Sequence, residues 1–188
     1  MRRRALFLLL PLVLAGCGYN SIQTYDETAA KAKQDIEVQL QRRADLIPNL
    51  VNTVKGFAAQ EQEVLTKVTE ARAGLSGAIK GGKMAEMADA NQQLTGALSR
   101  MMVTVEAYPT LKSDQNFLQL QDELTGTENR VSVARKDYNE AVGTYNAYIR
   151  KFPQVMTAKV TGAKSREYFE VSNAAAREAP TVDFGKKP

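Results

Sequence analysis

The chain has 188 residues, 44% of them hydrophobic, which suffices for one well-buried core but not comfortably for two. Its formal charge of +4 comes from 25 Lys and Arg against 21 Asp and Glu; removing Arg2, Arg3 and Arg4 leaves 22 against 21 and none of the clustered basicity that nucleic-acid binding requires. There is no histidine and only one cysteine, which excludes Ser-His-Asp and Cys-His nucleophile arrangements, most zinc sites, thiolate clusters and an internal disulfide.

In chain order, Arg2 to Arg4 form a positive head and Ala5 to Leu14 an apolar run interrupted by Pro11. That run is about half of the roughly 20 residues that a bilayer core demands, so residues 1–16 read as an export signal and not as a spanning helix. The closing Leu14-Ala15-Gly16-Cys17 resembles the bacterial lipobox. The resemblance implies cleavage between Gly16 and Cys17, diacylglyceryl on the thiol and acylation of the new amine. One acyl chain holds a protein only marginally at a bilayer, whereas several anchor it firmly. The same residues also admit an incidental cysteine after a plain signal, or a retained N-terminal anchor. Residues 17–24 are expected to form a lipidated tether. The chain is expected to sit membrane-anchored in the bacterial cell envelope, facing the periplasm or the exterior; Gly18, and not Asp, follows the cysteine, which by resemblance to Gram-negative lipoproteins implies the inner leaflet of the outer membrane if the source is Gram-negative.

Beyond the tether, helical spacing dominates, and residues 25–152 are expected to form an elongated, antiparallel, up-and-down, all-α bundle of three to four long helices. Ile22, Tyr25, Ala29, Ala32, Ile36 and Leu40 make one apolar stripe; Ile47, Leu50, Val54, Phe57, Val64, Leu65, Val68 and Ala71 make another. The two meet near Pro48, which either kinks a continuous helix or sits in the first turn of a new one, with Asp45 as its N-cap. Ser76-Gly77 and Gly81-Gly82 mark a turn. After it, Met84, Met87, Asn91, Leu94, Ala97, Met101 and Val105 describe a third amphipathic stretch, ending at Tyr108-Pro109. Methionines at this spacing read as adaptable core, not as a metal surface.

Ser113 and Asp114 are natural N-caps before a sustained seam of alternating three- and four-residue steps: Phe117, Leu120, Leu124, Thr127, Val131, Ala134, Tyr138, Ala141, Tyr145, Tyr148 and Phe152. Phe152-Pro153 closes it, because the residue before proline is driven out of the α region. A helix of that length extends roughly 50–60 Å. Residues 153–188 are expected to pack on the bundle, with a short helix over Tyr168–Arg177, an extended tail at Pro180–Phe184 that docks Phe184, and fraying over Gly185–Pro188.

The stretch Arg42-Arg43-Ala44-Asp45-Leu46-Ile47-Pro48-Asn49-Leu50-Val51 resembles the LemA family, and so do landmarks along the whole mature chain. They include Tyr19-Asn20, Asp35-Ile36-Glu37-Val38-Gln39-Leu40, Val54-Lys55-Gly56-Phe57, Glu70-Ala71-Arg72, Tyr108-Pro109 and Glu128-Asn129. Further along come Arg135, Tyr138-Asn139, Tyr145-Asn146, Phe152-Pro153, Tyr168-Phe169 and the Pro180, Val182, Phe184 tail. The resemblance implies an all-helical bundle on the outer side of a bacterial membrane with no established enzymatic activity. Typical members carry an N-terminal spanning helix, whereas this chain has a shorter apolar run and a lipobox-like cysteine.

Arg43 lies three residues after Leu40 and four before Ile47, on or beside the apolar stripe, so its charge needs a partner. We read Arg43 or Arg42, with Asp45, Asn49 and Glu128, as a polar layer that sets helix register, with Arg135 two turns beyond Glu128 on the same face. Such layers act as specificity devices more than as large stabilisers. A solvated face covered by the arginine stems, or a partner-docking patch, are the competing readings. The carboxylate groupings Glu61/Glu63, Glu86/Asp89 and Asp122/Glu123 sit in no catalytic or metal motif and read as solvated faces. No catalytic residue, metal or cofactor is therefore expected.

Three function classes follow. The first is a lipid-tethered, non-enzymatic helical scaffold or adaptor that recruits an envelope protein. The second is direct binding of an envelope polymer or anionic lipid through Lys80, Lys83, Lys151, Lys159 and Lys164. The third, disfavoured by the lack of a site motif, is a carboxylate-based hydrolase. The apolar seams close either within one chain or between chains of a homo-oligomer.

Overall fold

The computed structural model describes residues 18–171. They are helical apart from short connections and one extended segment, with no strand among them. The expected signal and Cys17, and the tail at Pro180–Phe184 with the fraying end, lie outside the described residues.

Helix α1 runs from Tyr19 to Phe57 and at 1.5 Å per residue rises about 58 Å. Its start is set by Gly18, whose φ of 114° is a left-handed conformation that glycine adopts without strain. Tyr19–Thr24, expected as tether, is thus the first part of α1, and Ile22 is already buried. The buried positions Ile22, Ala29, Ile36, Leu40, Arg43, Ala44, Ile47, Leu50 and Val54 form one continuous face.

Pro48 therefore lies inside a single helix and does not separate two. Proline cannot donate to the carbonyl four residues back, which leaves Ala44 O without its helical partner. Arg72, from the next helix, supplies the missing donor: its Nε reaches Ala44 O at 3.1 Å. The reversal comes ten residues later, at Ala58–Glu61, where Ala58 N–H closes on Val54 O and Glu61 N–H on Ala58 O. That stretch, Ala-Ala-Gln-Glu, holds neither glycine nor proline, so the second apolar stripe spans the turn without announcing it.

Helix α2 (Gln62–Gly81) descends beside α1, and the Gly81-Gly82 turn forms as the sequence predicts: Gly82 takes a φ of 70° and its N–H caps Ala78 O and Ile79 O. Lys33 Nζ donates to Gly82 O at 2.6 Å, which pins this turn partway up α1. Helix α3 (Met84–Val105) returns upward with Met84, Met87, Leu94, Met101 and Val105 buried. The one-turn α4 (Pro109–Lys112) leads into α5 (Gln115–Arg150), whose N-cap Asp114 accepts from Phe117 N–H at 2.9 Å. Helix α5 runs down the length of α1 in the most extensive packing of the molecule. Phe152 is excluded from the predicted seam: α5 stops at Arg150, and Phe152 is 83% exposed.

The upper part is a four-helix head with one core. Below the α2–α3 turn only α1 and α5 continue. There a smaller apolar cluster of Ile22, Tyr145, Ile149 and Ala158 is completed by α6 (Gln154–Thr161), and the Tyr25 and Tyr148 rings meet at 4.9 Å. Residues 163–171 then run extended along α5. The described part of the predicted Tyr168–Arg177 helix, Tyr168–Val171, is thus not helical. Its backbone is held mainly by side chains of α5, with one bond of its own, from Glu170 N–H to Tyr168 O at 3.1 Å.

Candidate functional site

The polar spine of the head is centred on Arg43, which is only 4% exposed within an otherwise apolar face. Its Nη1 donates to Asn91 Oδ1 at 2.5 Å and pairs with Glu128, and its Nη2 donates to Thr95 Oγ1 at 3.0 Å. Thr95 in turn donates to Asn91 O at 3.1 Å, so one turn of α3 presents both acceptors together. Arg43 thereby ties α1 to α3 and α5 at one level. Burial pulls the pKa of its guanidinium down, and the Glu128 carboxylate pushes it back up. Arginine stays charged over any relevant pH. Among the described residues Arg43 Nε has no hydrogen-bond partner, so the layer is not fully satisfied.

Beside this layer α3 and α5 flank a cleft of about 680 Å³ lined by Asn91, Thr95, Glu128, Arg135 and Phe169 among others. Arg135 sits 6.0 Å above the Phe169 ring, at the outer range of a cation–π contact. The structure thus places Arg43 with Glu128, and Arg135 on the rim of the same cleft. It does not bring in Arg42, Asp45 or Asn49. Arg42 and Asn49 are exposed, and exposed Asp45 accepts from Gln41 Nε2 at 2.7 Å on its own helix. The reason is angular: adjacent helical positions diverge by about 100°, so with Arg43 turned inward Arg42 and Asp45 face outward. Asn91 and Thr95 were missed as members, although Asn91 already stood out as the one amide in the α3 apolar stripe.

A second polar constellation holds the extended segment. Asn146 Nδ2 donates to Arg166 O and its Oδ1 accepts from Arg166 N–H, both at 2.9 Å. Seven residues earlier, Asn139 Oδ1 accepts from Phe169 N–H at 2.8 Å and its Nδ2 reaches Phe169 O at 3.4 Å. Tyr138 OH donates to Glu167 O at 2.7 Å. Tyr138, Asn139 and Asn146 thus grip a stretch of backbone as a neighbouring strand would, and Arg166 also lies 6.0 Å over the Tyr145 ring. Arg166 closes the grip with a bidentate pair to Asp26, Nε–Oδ1 at 2.8 Å and Nη2–Oδ2 at 3.0 Å. Hydrogen bonding from Arg166 holds the Asp26 carboxyl below the ordinary aspartate range despite partial burial. The seven-residue spacing of the Tyr-Asn pairs was the available sequence signal for this clamp.

Three members of the carboxylate groupings are tied to neighbouring side chains. Glu61 accepts from Tyr108 OH at 2.8 Å, Glu63 pairs with Lys67, and Glu86 pairs with Lys83 at 2.7 Å. Among the described residues no group of three or more carboxylate or thiol ligands converges as a metal ion would require, and no helix is long and apolar enough to cross a membrane.

An antiparallel four-helix head on a two-helix stem, cross-tied by a buried arginine, defines an all-helical bundle protein. The LemA family profile matches residues 32–184, and the chain belongs to the LemA family. Two magnetosome proteins MamQ of Paramagnetospirillum magneticum are each 33% identical over 177 aligned residues, covering 81% of this chain and 64% of theirs. Protein LemA of Metamycoplasma hominis is 24% identical over 134 residues, covering 71% of this chain and 60% of its own. The chain thus spans less than two thirds of the length of these relatives.

Proposed function

We propose that this LemA-family chain is a lipid-tethered scaffold or adaptor of the bacterial envelope, in which acyl chains on Cys17 hold one end of the rod at a membrane. The observation that carries the reading is the register of α1: it begins at Tyr19, two residues after Cys17, and climbs about 58 Å without a break. A tether at Cys17 would therefore raise the four-helix head well clear of the bilayer, where an envelope protein partner could be recruited. The internal use of the charged side chains supports a structural over a catalytic role. Arg43, Asp26 and Arg166 are all spent on cross-ties between elements.

Affinity capture from solubilised membranes tests it. The wild-type chain is expected to recover one stoichiometric envelope protein, and Arg42→Glu, which alters the exposed neighbour of the buried arginine, to reduce that recovery. Arg43 itself is unsuitable, since its substitution perturbs the core. Salt-sensitive retention on isolated cell wall, without a protein partner, would instead favour polymer binding. Turnover of an envelope substrate, abolished by one carboxylate change, would replace the reading with an enzyme.

A further inference from the structure

The foot of the rod carries an apolar stripe that nothing within the described residues covers. Phe152, Met156 and Val160 are 83%, 59% and 87% exposed, while Thr157 and Ala158 on the opposite side of α6 are buried against the stem. Met156 and Val160, four residues apart on α6, line one face of it, and Phe152 lies exposed on the approach, two residues before the helix begins. Exposed apolar residues scattered singly are ordinary, but three within nine residues, on an eight-residue helix and its approach, form a patch.

The charge of the chain flanking the stripe has one sign. Between Glu140 and Glu167 the chain has no acidic residue, and it has Arg150, Lys151, Lys159, Lys164 and Arg166. Arg166 is spent on Asp26, whereas the other four form no ion pair among the described residues. The position of the patch is equally specific. Gly18, the neighbour of Cys17, abuts α6 so closely that a Cβ there would lie 3.1 Å from Gln154 Cγ. Ile22 and Ala158 share one cluster.

We propose that the Met156–Val160 face of α6, with Phe152 on its approach, seats in the headgroup–acyl boundary of a bilayer containing anionic lipid, with the four cations at the headgroups. Tethering at one residue leaves the rod free to tilt; a second contact beside it fixes the angle at which the head is presented. The proposal rests on Cys17 marking the membrane end, and its test separates the two ideas. The chain has no tryptophan, so Val160→Trp and, separately, Phe152→Trp each introduce one reporter at a position too exposed to disturb folding. Val38→Trp, 60% exposed on α1 partway up the rod, is the control.

The full chain, isolated from bacterial membranes, is reconstituted into vesicles of equal parts phosphatidylcholine and phosphatidylglycerol carrying doxyl-labelled lipid. Emission from Val160→Trp and Phe152→Trp is expected to shift to the blue and to lose most of its intensity to the doxyl quencher, while Val38→Trp keeps a water-like, unquenched spectrum. Each lysine among Lys151, Lys159 and Lys164 changed to Gln is expected to weaken the partition of this face into the anionic surface about fivefold. Mass spectrometry of the same sample reads acylation at Cys17. Quenching without acylation upholds the seat and removes the tether. A water-like spectrum at position 160 overturns the seat whether or not Cys17 is acylated, and so does a blue-shifted spectrum that lipid-borne quenchers do not touch, since that means a protein cover.

Discussion

Arg43 shows how a single residue can serve the fold while adding little stability. Its stem continues the apolar face of α1, but its guanidinium has left water for Asn91, Thr95 and Glu128. Glu128→Ala would strand that cation. Because the Glu128 side chain is 43% exposed, the expected cost, about 2 kcal/mol, falls below the roughly 3–5 kcal/mol of a fully buried pair. Arg43→Met, which keeps the stem and removes the charge, is expected to be nearly neutral in denaturant unfolding. In the Arg43→Ala/Glu128→Ala cycle the two effects should fall short of additivity by about 1–2 kcal/mol; simple addition would mean that the two groups are not coupled. Asp26 gives the complementary pH test. Its folded pKa is depressed by Arg166, so its contribution is fully present above the unfolded aspartate value near pH 4 and is lost as pH falls through the lower folded value. Asp26→Asn should flatten the acid limb of a stability profile measured by thermal unfolding, with no change in its slope at neutral pH.

Helix α1 carries a proline at its tenth residue from the end and yet continues, because α2 brings an arginine to the carbonyl that the proline abandons. Arg72→Ala should cost about 1–2 kcal/mol by leaving Ala44 O unpaired. In a Pro48→Ala background, where the backbone N–H returns, the same substitution should cost markedly less. Equal costs in both backgrounds, measured by urea unfolding, would show that Arg72 does not serve the proline. The extended segment 163–171 belongs to the same scale. An extended backbone with no strand beside it must find its hydrogen bonds elsewhere, and Asn139 and Asn146 provide them in pairs two helical turns apart. This is why Tyr168–Val171 departs from the predicted helix: the side-chain amides of α5 offer its backbone an alternative to helical bonding.

Taken as a whole, the molecule tapers from four helices to two, and the taper follows from helix length. Helices α2 and α3 have 20 and 22 residues against 39 and 36 for α1 and α5, so the short pair covers only the upper part of the long one. The exposed lower stem is then closed by α6 and the clamped segment. The narrow end of the rod lies at Gly18 and Tyr19. Palmitate labelling of growing cells should mark the wild-type chain and leave Cys17→Ser unlabelled; persistent labelling of Cys17→Ser would contradict the lipid tether.

The all-helical class, the long seam of α5, the Gly81-Gly82 turn and the inward pull on Arg43 were all legible in the sequence, because each rests on local spacing or on one residue's backbone preference. What closed around those features was decided only in three dimensions. Whether Pro48 ended a helix depended on a donor 24 residues further along the chain. The companions of Arg43 depended on which turn of α3 came level with it. Phe152, indistinguishable by spacing from a core position, was left outside because α5 ended two residues before it. Periodicity says which face of an element must be covered; only packing says by what, and where the cover stops.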